Sequence, residues 1–201
     1  MKSLQRWMLL LALPVLAATH QPSDPLPIGA SLPQPDQKLR DISGTMVSFR
    51  EARKKNGLLV MFSCNTCPVV HKYQTRTNEI CRYALSRDIG VILLNANEAQ
   101  RSEGDGFEEM KAYAHDNGYT WYYVLDRDAR MADAFGALRT PEVFLFNPDD
   151  RLVYHGAIDD NANGEPEITR KHLAIAIDEL VAGKDISTKT TRSVGCSIKR
   201  P

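Results

Sequence analysis

Two uninterrupted apolar runs dominate the hydrophobic pattern: Leu58-Leu59-Val60-Met61-Phe62 after Gly57, and Val91-Ile92-Leu93-Leu94-Asn95 after Gly90. Runs of this length without alternation fit strands covered on both faces, as in a parallel or mixed sheet. Between them, Val70, Tyr73, Thr77, Ile80/Cys81 and Ala84 recur at three- and four-residue spacing. This is the stripe of an amphipathic helix, which the pattern starts at Cys64-Asn65-Thr66-Cys67-Pro68 and carries to about Arg87, with Pro68 in the first turn. Further along, Phe107 to about Asn117 reads as a helix stopped by Gly118, Trp121–Leu125 as a strand, and Asp128–Phe135 as a short helix ended by Gly136. Glu142–Phe146 reads as a strand, Asn147-Pro148-Asp149-Asp150 as a turn and Arg151–His155 as its hairpin partner. Ile168–Val181, with Leu173, Ile177 and Leu180 on one face, is the last predicted helix, closed by Gly183. Upstream, Met46–Phe49 alternates like a short edge strand and Glu51–Lys55 reads as one helical turn. Strand–helix–strand units followed by a hairpin and a final helix predict an α/β fold with a mixed central sheet flanked by helices.

The two ends do not share this pattern. Lys2 and Arg6 precede an apolar run from Trp7 to Leu16 and then small residues, the arrangement of a cleaved signal peptide over residues 1–18. The run is about half the ~20 residues that a spanning helix needs and contains Pro14, so no stable membrane insertion is expected after cleavage. Five of the eleven prolines fall between Pro22 and Pro35, making residues 19–36 an extended lead-in without a core of its own. Residues 37–183 form the predicted domain and 184–201 a polar tail. With 201 residues, 25 basic and 25 acidic, and no block of like charge, nucleic acid is excluded as the main partner. Loss of Lys2 and Arg6 leaves the mature chain faintly acidic. The expected location is an oxidising compartment, periplasmic or extracellular.

Four cysteines are too few for a disulfide scaffold of this size, and they are unevenly placed. Cys64 and Cys67 sit at the junction of a buried strand and a helix. A thiolate, not a thiol, attacks a disulfide, so a redox site must lower one cysteine pKa and keep that sulfur accessible. Cys64, just before the first turn, would face the orphan N–H groups and positive end of the helix. Cys67, inside the first turn, would be close enough to form a disulfide with Cys64. Cys64 is therefore the expected attacking sulfur and Cys67 the resolving one. A zinc site would need a second close pair of Cys or His ligands, which does not follow at zinc spacing. An inert structural disulfide is the other alternative. Thr140-Pro141, immediately before a buried strand, is a candidate cis peptide beside the sulfurs whose preceding backbone can pair with a substrate strand; a plain strand-entry proline is the alternative.

The order Phe62-Ser63-Cys64-Asn65-Thr66-Cys67-Pro68, then Thr140-Pro141-Glu142-Val143-Phe144-Leu145-Phe146, resembles a thioredoxin-fold protein. The lead-in from Gly29 to Pro33, the segment Leu39 to Gly44 and the extra stretch Asn97 to Leu125 resemble the redoxin branch, which holds the alkyl hydroperoxide reductase/thiol-specific antioxidant and periplasmic thioredoxin-like proteins. Arg151 to Asp160 and the terminal Gly195-Cys196-Ser197-Ile198-Lys199 are similar to a peroxiredoxin-like subgroup with CxxC. The resemblance spans about residues 28–201. It implies a thiol-disulfide oxidoreductase acting on protein thiols and disulfides with a redox partner, with no dissociable cofactor and no metal. Cys64 and Cys67 are its redox pair, and Thr140 and Pro141 position substrate. Met61 and Gly57 stand where peroxiredoxins carry threonine and proline before the peroxidatic cysteine, which argues against peroxide reduction as the main activity. Leu58 replaces thioredoxin's buried aspartate, and Arg139 stands where the subgroup often has a cysteine. Arg139 either holds an anionic substrate, stabilises a thiolate or is simply solvated.

Other residues carry weaker expectations. Cys81 lies 14 residues beyond Cys67, about 21 Å along the helix, and reads as a buried inert thiol. Cys196 is either a third redox thiol brought over the site by the tail or a free thiol on a loose terminus. His71, one turn after Cys67, tunes the thiols or is a helix-surface histidine. Asp159 to Gly164 mimics half a calcium loop, but Arg170 occupies the position of the required glutamate. Two rival functions stand beside the oxidoreductase: copper handling through two cysteines and a distant histidine such as His155, and thiol-dependent peroxidase activity.

Overall fold

The structure, a computed structural model, describes residues 24–164 and 166–201. The expected signal peptide, residues 1–18, lies outside the described residues. Seven strands form one mixed sheet: β1 (Leu39–Asp41), β2 (Met46–Val47), β3 (Leu58–Ser63), β4 (Gly90–Asn95), β5 (Tyr122–Leu125), β7 (Glu142–Phe146) and β8 (Leu152–Gly156). The spatial order is β2-β1-β5-β4-β3-β7-β8. The central β3, β4 and β5 run parallel, while β7 is antiparallel to β3 and joins β8 as a hairpin. Two further strands, β6 (Arg139–Thr140) and β9 (Cys196–Ser197), pair with each other outside this sheet.

Period-two alternation on the central strands explains the two cores. Leu58, Val60, Phe62, Ile92, Leu94, Phe144 and Phe146 face one side, against Phe49 and Ala52 of α1 (Phe49–Ala52) and Met131, Ala132 and Phe135 of α4 (Arg130–Phe135). Leu59, Met61, Val91, Leu93, Val143 and Leu145 face the other. That side is covered by Tyr73, Ile80 and Ala84 of α2 (Pro68–Ser86), Met110 and Ala114 of α3 (Phe107–Asp116), and Leu173 and Ile177 of α5 (His172–Val181). Phe135 is the hub of the first core, its ring centroid 5.2 to 5.9 Å from those of Phe49, Phe62, Phe144 and Phe146. On the second side Arg76 and Asp159 make a buried ion pair at 2.6 Å, with Tyr73 donating to the same carboxylate at 3.2 Å.

Several boundaries move. α1 begins at Phe49 because Ser48 caps it: Ser48 Oγ accepts from Glu51 N–H while Glu51 accepts from Ser48 N–H, a reciprocal capping box. α5 begins at His172, four residues later than the apolar stripe predicts. From residue 24 on, the lead-in packs onto the domain, with Leu26 N–H donating to Phe135 O at 3.0 Å, Leu32 N–H to Asp150 O at 2.8 Å, and Leu32 buried. The polar tail is the largest departure. Residues 189–191 run beside β8, with His155 N–H donating to Lys189 O and Thr191 N–H to His155 O, each at 3.0 Å; the chain then crosses back as β9. Ile186 and Ile198 are its buried anchors. Among the described residues no helix is long and apolar enough to cross a membrane.

Candidate active site

At the C-terminal end of β3 the chain turns into α2 through Ser63-Cys64-Asn65-Thr66-Cys67. Cys67 is the N-cap of α2, one step outside the helix rather than inside its first turn, and Pro68 is the first helical residue. Asp105, fully buried in the loop before α3, holds this turn in shape. One carboxylate oxygen accepts from Asn65 N–H and Asn95 Nδ2, each at 2.7 Å. The other accepts from Thr66 Oγ1 at 2.7 Å and Asn97 Nδ2 at 3.0 Å. Asn65 is satisfied again through Nδ2 to Gly104 O at 2.8 Å and through Oδ1, which accepts from Tyr123 Oη at 2.8 Å. Burial first of all pushes the Tyr123 hydroxyl well above its ordinary value, so it remains a neutral donor.

Three of the four cysteines meet here. Cys64, Cys67 and Val70 form a small buried cluster against which Cys196 packs. The disulfide joins Cys67 to Cys196, with 6.0 Å between their Cα atoms, and Cys64 and Cys81 are free thiols. The bond in this structure is thus not the expected Cys64–Cys67 one. β9 pairs antiparallel with β6, setting Thr140 opposite Cys196, and that register lays the tail cysteine over Cys67. The accessible, low-pKa Cys64 is corrected as well. Cys64 is 0% exposed, and burial, followed by the nearby Asp105 charge among the raising causes, lifts its thiol above the ordinary cysteine value. Thr140 Oγ1, 3.2 Å from the Cys64 sulfur, and the N–H groups of Cys67 and Thr66 pull the other way without prevailing. The most accessible of the three sulfurs' residues is Cys196, which is partly exposed, as against 3% for Cys67.

Thr140-Pro141 closes the site. The peptide is cis, Thr140 is fully buried, and its carbonyl oxygen lies 3.5 Å from the Cys67 sulfur, a contact in which the bonded sulfur donates nothing. The next residue, Glu142, is a buried carboxylate in an otherwise apolar strand. One oxygen accepts from the N–H groups of Leu138 (2.7 Å) and Arg139 (3.0 Å), the other from His155 Nε2 (2.9 Å) and the tail hydroxyl of Ser193 (3.1 Å). Burial pushes its carboxyl up, but the hydrogen bonds from His155, Leu138 and Arg139 outweigh it and hold the group below the ordinary glutamate value.

The accessory candidates separate. Arg139 is exposed and donates to Gly195 O at 3.3 Å, so it braces the tail. His71 is on the helix surface, hydrogen-bonded through Nε2 to Asn65 O and stacked 5.9 Å from Tyr113. His155, the copper candidate, is held by Glu142 and stacked 4.4 Å from Phe144. Cys81 is buried in the second core, and burial raises its thiol pKa. Sequence reasoning missed Asp105, which sits in a polar loop with no spacing signal. It also missed Glu142, whose signal was legible: a charge placed among Val143, Phe144, Leu145 and Phe146.

The Redoxin family model matches residues 27–173. Among solved structures, a hypothetical protein from Sinorhizobium meliloti 1021 is 31% identical, covering 89% of this chain and 97% of that one with a TM-score of 0.80. An uncharacterized conserved protein from Geobacillus kaustophilus is 29% identical over 87% of this chain and 93% of its own, with a TM-score of 0.81. A cysteine-to-serine mutant of PrxQ from Xylella fastidiosa shares the fold at 17% identity, covering 80% and 99% of the two chains with a TM-score of 0.56. No curated protein matches.

Proposed function

Since the chain belongs to the redoxin family, with a thioredoxin-like fold, we propose that it is an exported thiol-disulfide oxidoreductase whose redox centre is Cys64, Cys67 and Cys196. The observation that carries this reading is the convergence of a free thiol and a disulfide on the Thr140-Pro141 loop. With all three cysteines reduced, the Cys64 thiolate attacks a substrate disulfide and releases one substrate thiol. Cys67 attacks the mixed disulfide at the Cys64 sulfur and releases the second, forming Cys64–Cys67. Cys196 then attacks Cys67, which moves the disulfide to Cys67–Cys196 and returns Cys64 as a thiol. The substrate gains two electrons and two protons, and the cysteines hold one disulfide. A dithiol partner restores the reduced form by attacking Cys196, the most accessible of the three, and leaves with its own disulfide. No dissociable cofactor enters. Export rests on the N-terminal signal pattern and suits a protein that keeps a disulfide.

Thr140 Oγ1 and the N–H groups of Cys67 and Thr66 are the groups beside Cys64 that favour its thiolate, against the burial that raises its pKa. The test is insulin reduction driven by a dithiol, together with a Cys67→Ser variant that should accumulate mixed disulfides on Cys64. Full turnover by Cys64→Ser would refute the assignment.

A further inference from the structure

The segment from Ser193 to Arg200 does more than deliver a cysteine. It forms an added strand on the backbone that precedes Pro141: Arg139 faces Ser197, Thr140 faces Cys196, and Ile198 N–H donates to Leu138 O at 3.0 Å. Gly195 lies flat on the Thr140-Pro141 peptide, where a Cβ would come within 2.1 Å of Thr140 O and 3.2 Å of Pro141 N. Two residues beyond the cysteine, Ile198 drops into the Phe135 core and is 6% exposed. Val194 and Ser197 point to solvent. The segment thus occupies a groove that reads a small residue, a cysteine, a free position and an aliphatic residue, through backbone hydrogen bonds and two side-chain sockets. Under this occupant Cys64 has no exposed surface.

We propose that residues 193–200 are a tethered pseudo-substrate, locked by the Cys67–Cys196 disulfide into the groove that receives an extended cysteine-bearing segment of a protein substrate. The inference rests on the oxidoreductase reading and adds the substrate's form and a redox gate to it. In the oxidised protein the groove is filled and Cys64 is covered, so no second substrate enters until the first electron pair is replaced. A dithiol partner opens the gate: its thiolate attacks Cys196, the Cys67–Cys196 bond breaks with Cys67 leaving as thiolate, and the partner's second thiol displaces Cys196 as the partner forms its own disulfide. What then holds the segment is a two-residue ladder, the Ile198 anchor, the buried Ser193–Glu142 bond and partly exposed bonds such as Lys199 N–H to Asn97 Oδ1 at 2.9 Å and Arg200 Nε to Asp133 Oδ1 at 2.8 Å. Without the covalent bond, contacts of that kind open by local unfolding that leaves the rest of the domain folded. The tether keeps the segment nearby, ready to resolve the Cys64–Cys67 disulfide once substrate leaves.

The experiment follows alkylation of Cys64 by iodoacetamide, mapped by mass, in the full chain, beside dithiol-driven insulin reduction by the same preparation. Wild type, Cys196→Ser and Gly195→Val, all reduced, should label Cys64 roughly tenfold or more faster than oxidised wild type, because opening no longer requires a covalent bond to break and, in Gly195→Val, the added side chain meets Thr140 O. A synthetic peptide copying Ser193–Lys199 should slow that labelling in Cys196→Ser and leave oxidised wild type unchanged. Circular dichroism and a thermal melt check folding of Gly195→Val, and reduced wild type needs no substitution at all. Equal labelling of oxidised and reduced wild type with insulin reduction intact overturns the pseudo-substrate and leaves the oxidoreductase standing. Gated labelling without any disulfide exchange overturns the oxidoreductase reading while the covering tail survives.

Discussion

Replacing Asp105 by asparagine should make the protein less stable and its Cys64 more reactive, two effects of opposite sense from one atom. Asp105 takes four donors on two oxygens at 2.7 to 3.0 Å. In Asp105→Asn the remaining oxygen can keep Asn65 N–H and Asn95 Nδ2. The new amide nitrogen faces Thr66 and Asn97. Thr66 can turn to accept, since its hydroxyl already has Gln100 Oε1 at 3.0 Å as a second partner. Asn97 Nδ2 loses its acceptor and keeps only a 3.5 Å contact to Gln100. One charge-assisted bond lost and others weakened, at about 1.5–3 kcal/mol for each such bond, put the cost near 2–4 kcal/mol. Asp105 is also a negative charge that raises the Cys64 pKa, so its removal should shift the pH profile of Cys64 alkylation to lower pH. Guanidinium unfolding and alkylation against pH, both on reduced protein, read the two effects. A folded variant whose profile stays in place or moves upward would refute the electrostatic reasoning; unchanged stability would refute the hydrogen-bond account.

Phe135→Ala should cost about 3–5 kcal/mol by the same unfolding measurement, since the ring meets four others and the cavity cannot collapse against a sheet. Arg76→Ala should cost a similar ~3–5 kcal/mol by leaving the Asp159 carboxylate buried without its cation, and a neutral result would mean the pair contributes nothing beyond packing. Asp126 accepts the Met131 and Ala132 N–H groups at 2.9 Å, and burial pushes its carboxyl up to about 6. The native state therefore holds this proton more tightly than the unfolded chain, so its contribution falls as pH rises from about 4 to about 6, by up to about 3 kcal/mol at roughly 1.4 kcal/mol per unit. Asp126→Asn should flatten that stretch of the stability curve, and an identical slope would contradict the assignment.

How far the chain could be read from its residues differs by element. The buried strands β3 and β4 and the helix between them were legible because an apolar run or a 3.6-residue stripe records which faces are covered, and covering is a local pattern. The Cys64-to-Pro68 turn and Thr140-Pro141 were legible for the same reason: each is a short motif whose chemistry travels with its spacing. The short β1 was not, since three residues leave too little periodicity. Asp105 was not, because a carboxylate in a polar loop looks the same whether its partners are solvent or the amide of Asn65, and the charge at Glu142 was visible in its apolar strand while its partners, Leu138 and His155, were not.

The cysteine bonding shows where local pattern stops. Spacing brings Cys64 and Cys67 near one another, and it could only leave Cys196 as a thiol of undecided use. The disulfide was decided 129 residues apart in the chain, by the pairing of β9 with β6, the close approach that Gly195 permits and the socket that receives Ile198. By itself the sequence determined the central buried strands, the helix that follows the first cysteine and the presence of thiol chemistry, since periodicity and spacing are properties of neighbours. Which sulfurs bond, and which one lies hidden, depended on surfaces that meet only after the chain has folded back on itself. No feature of a polar tail records the groove it will fill.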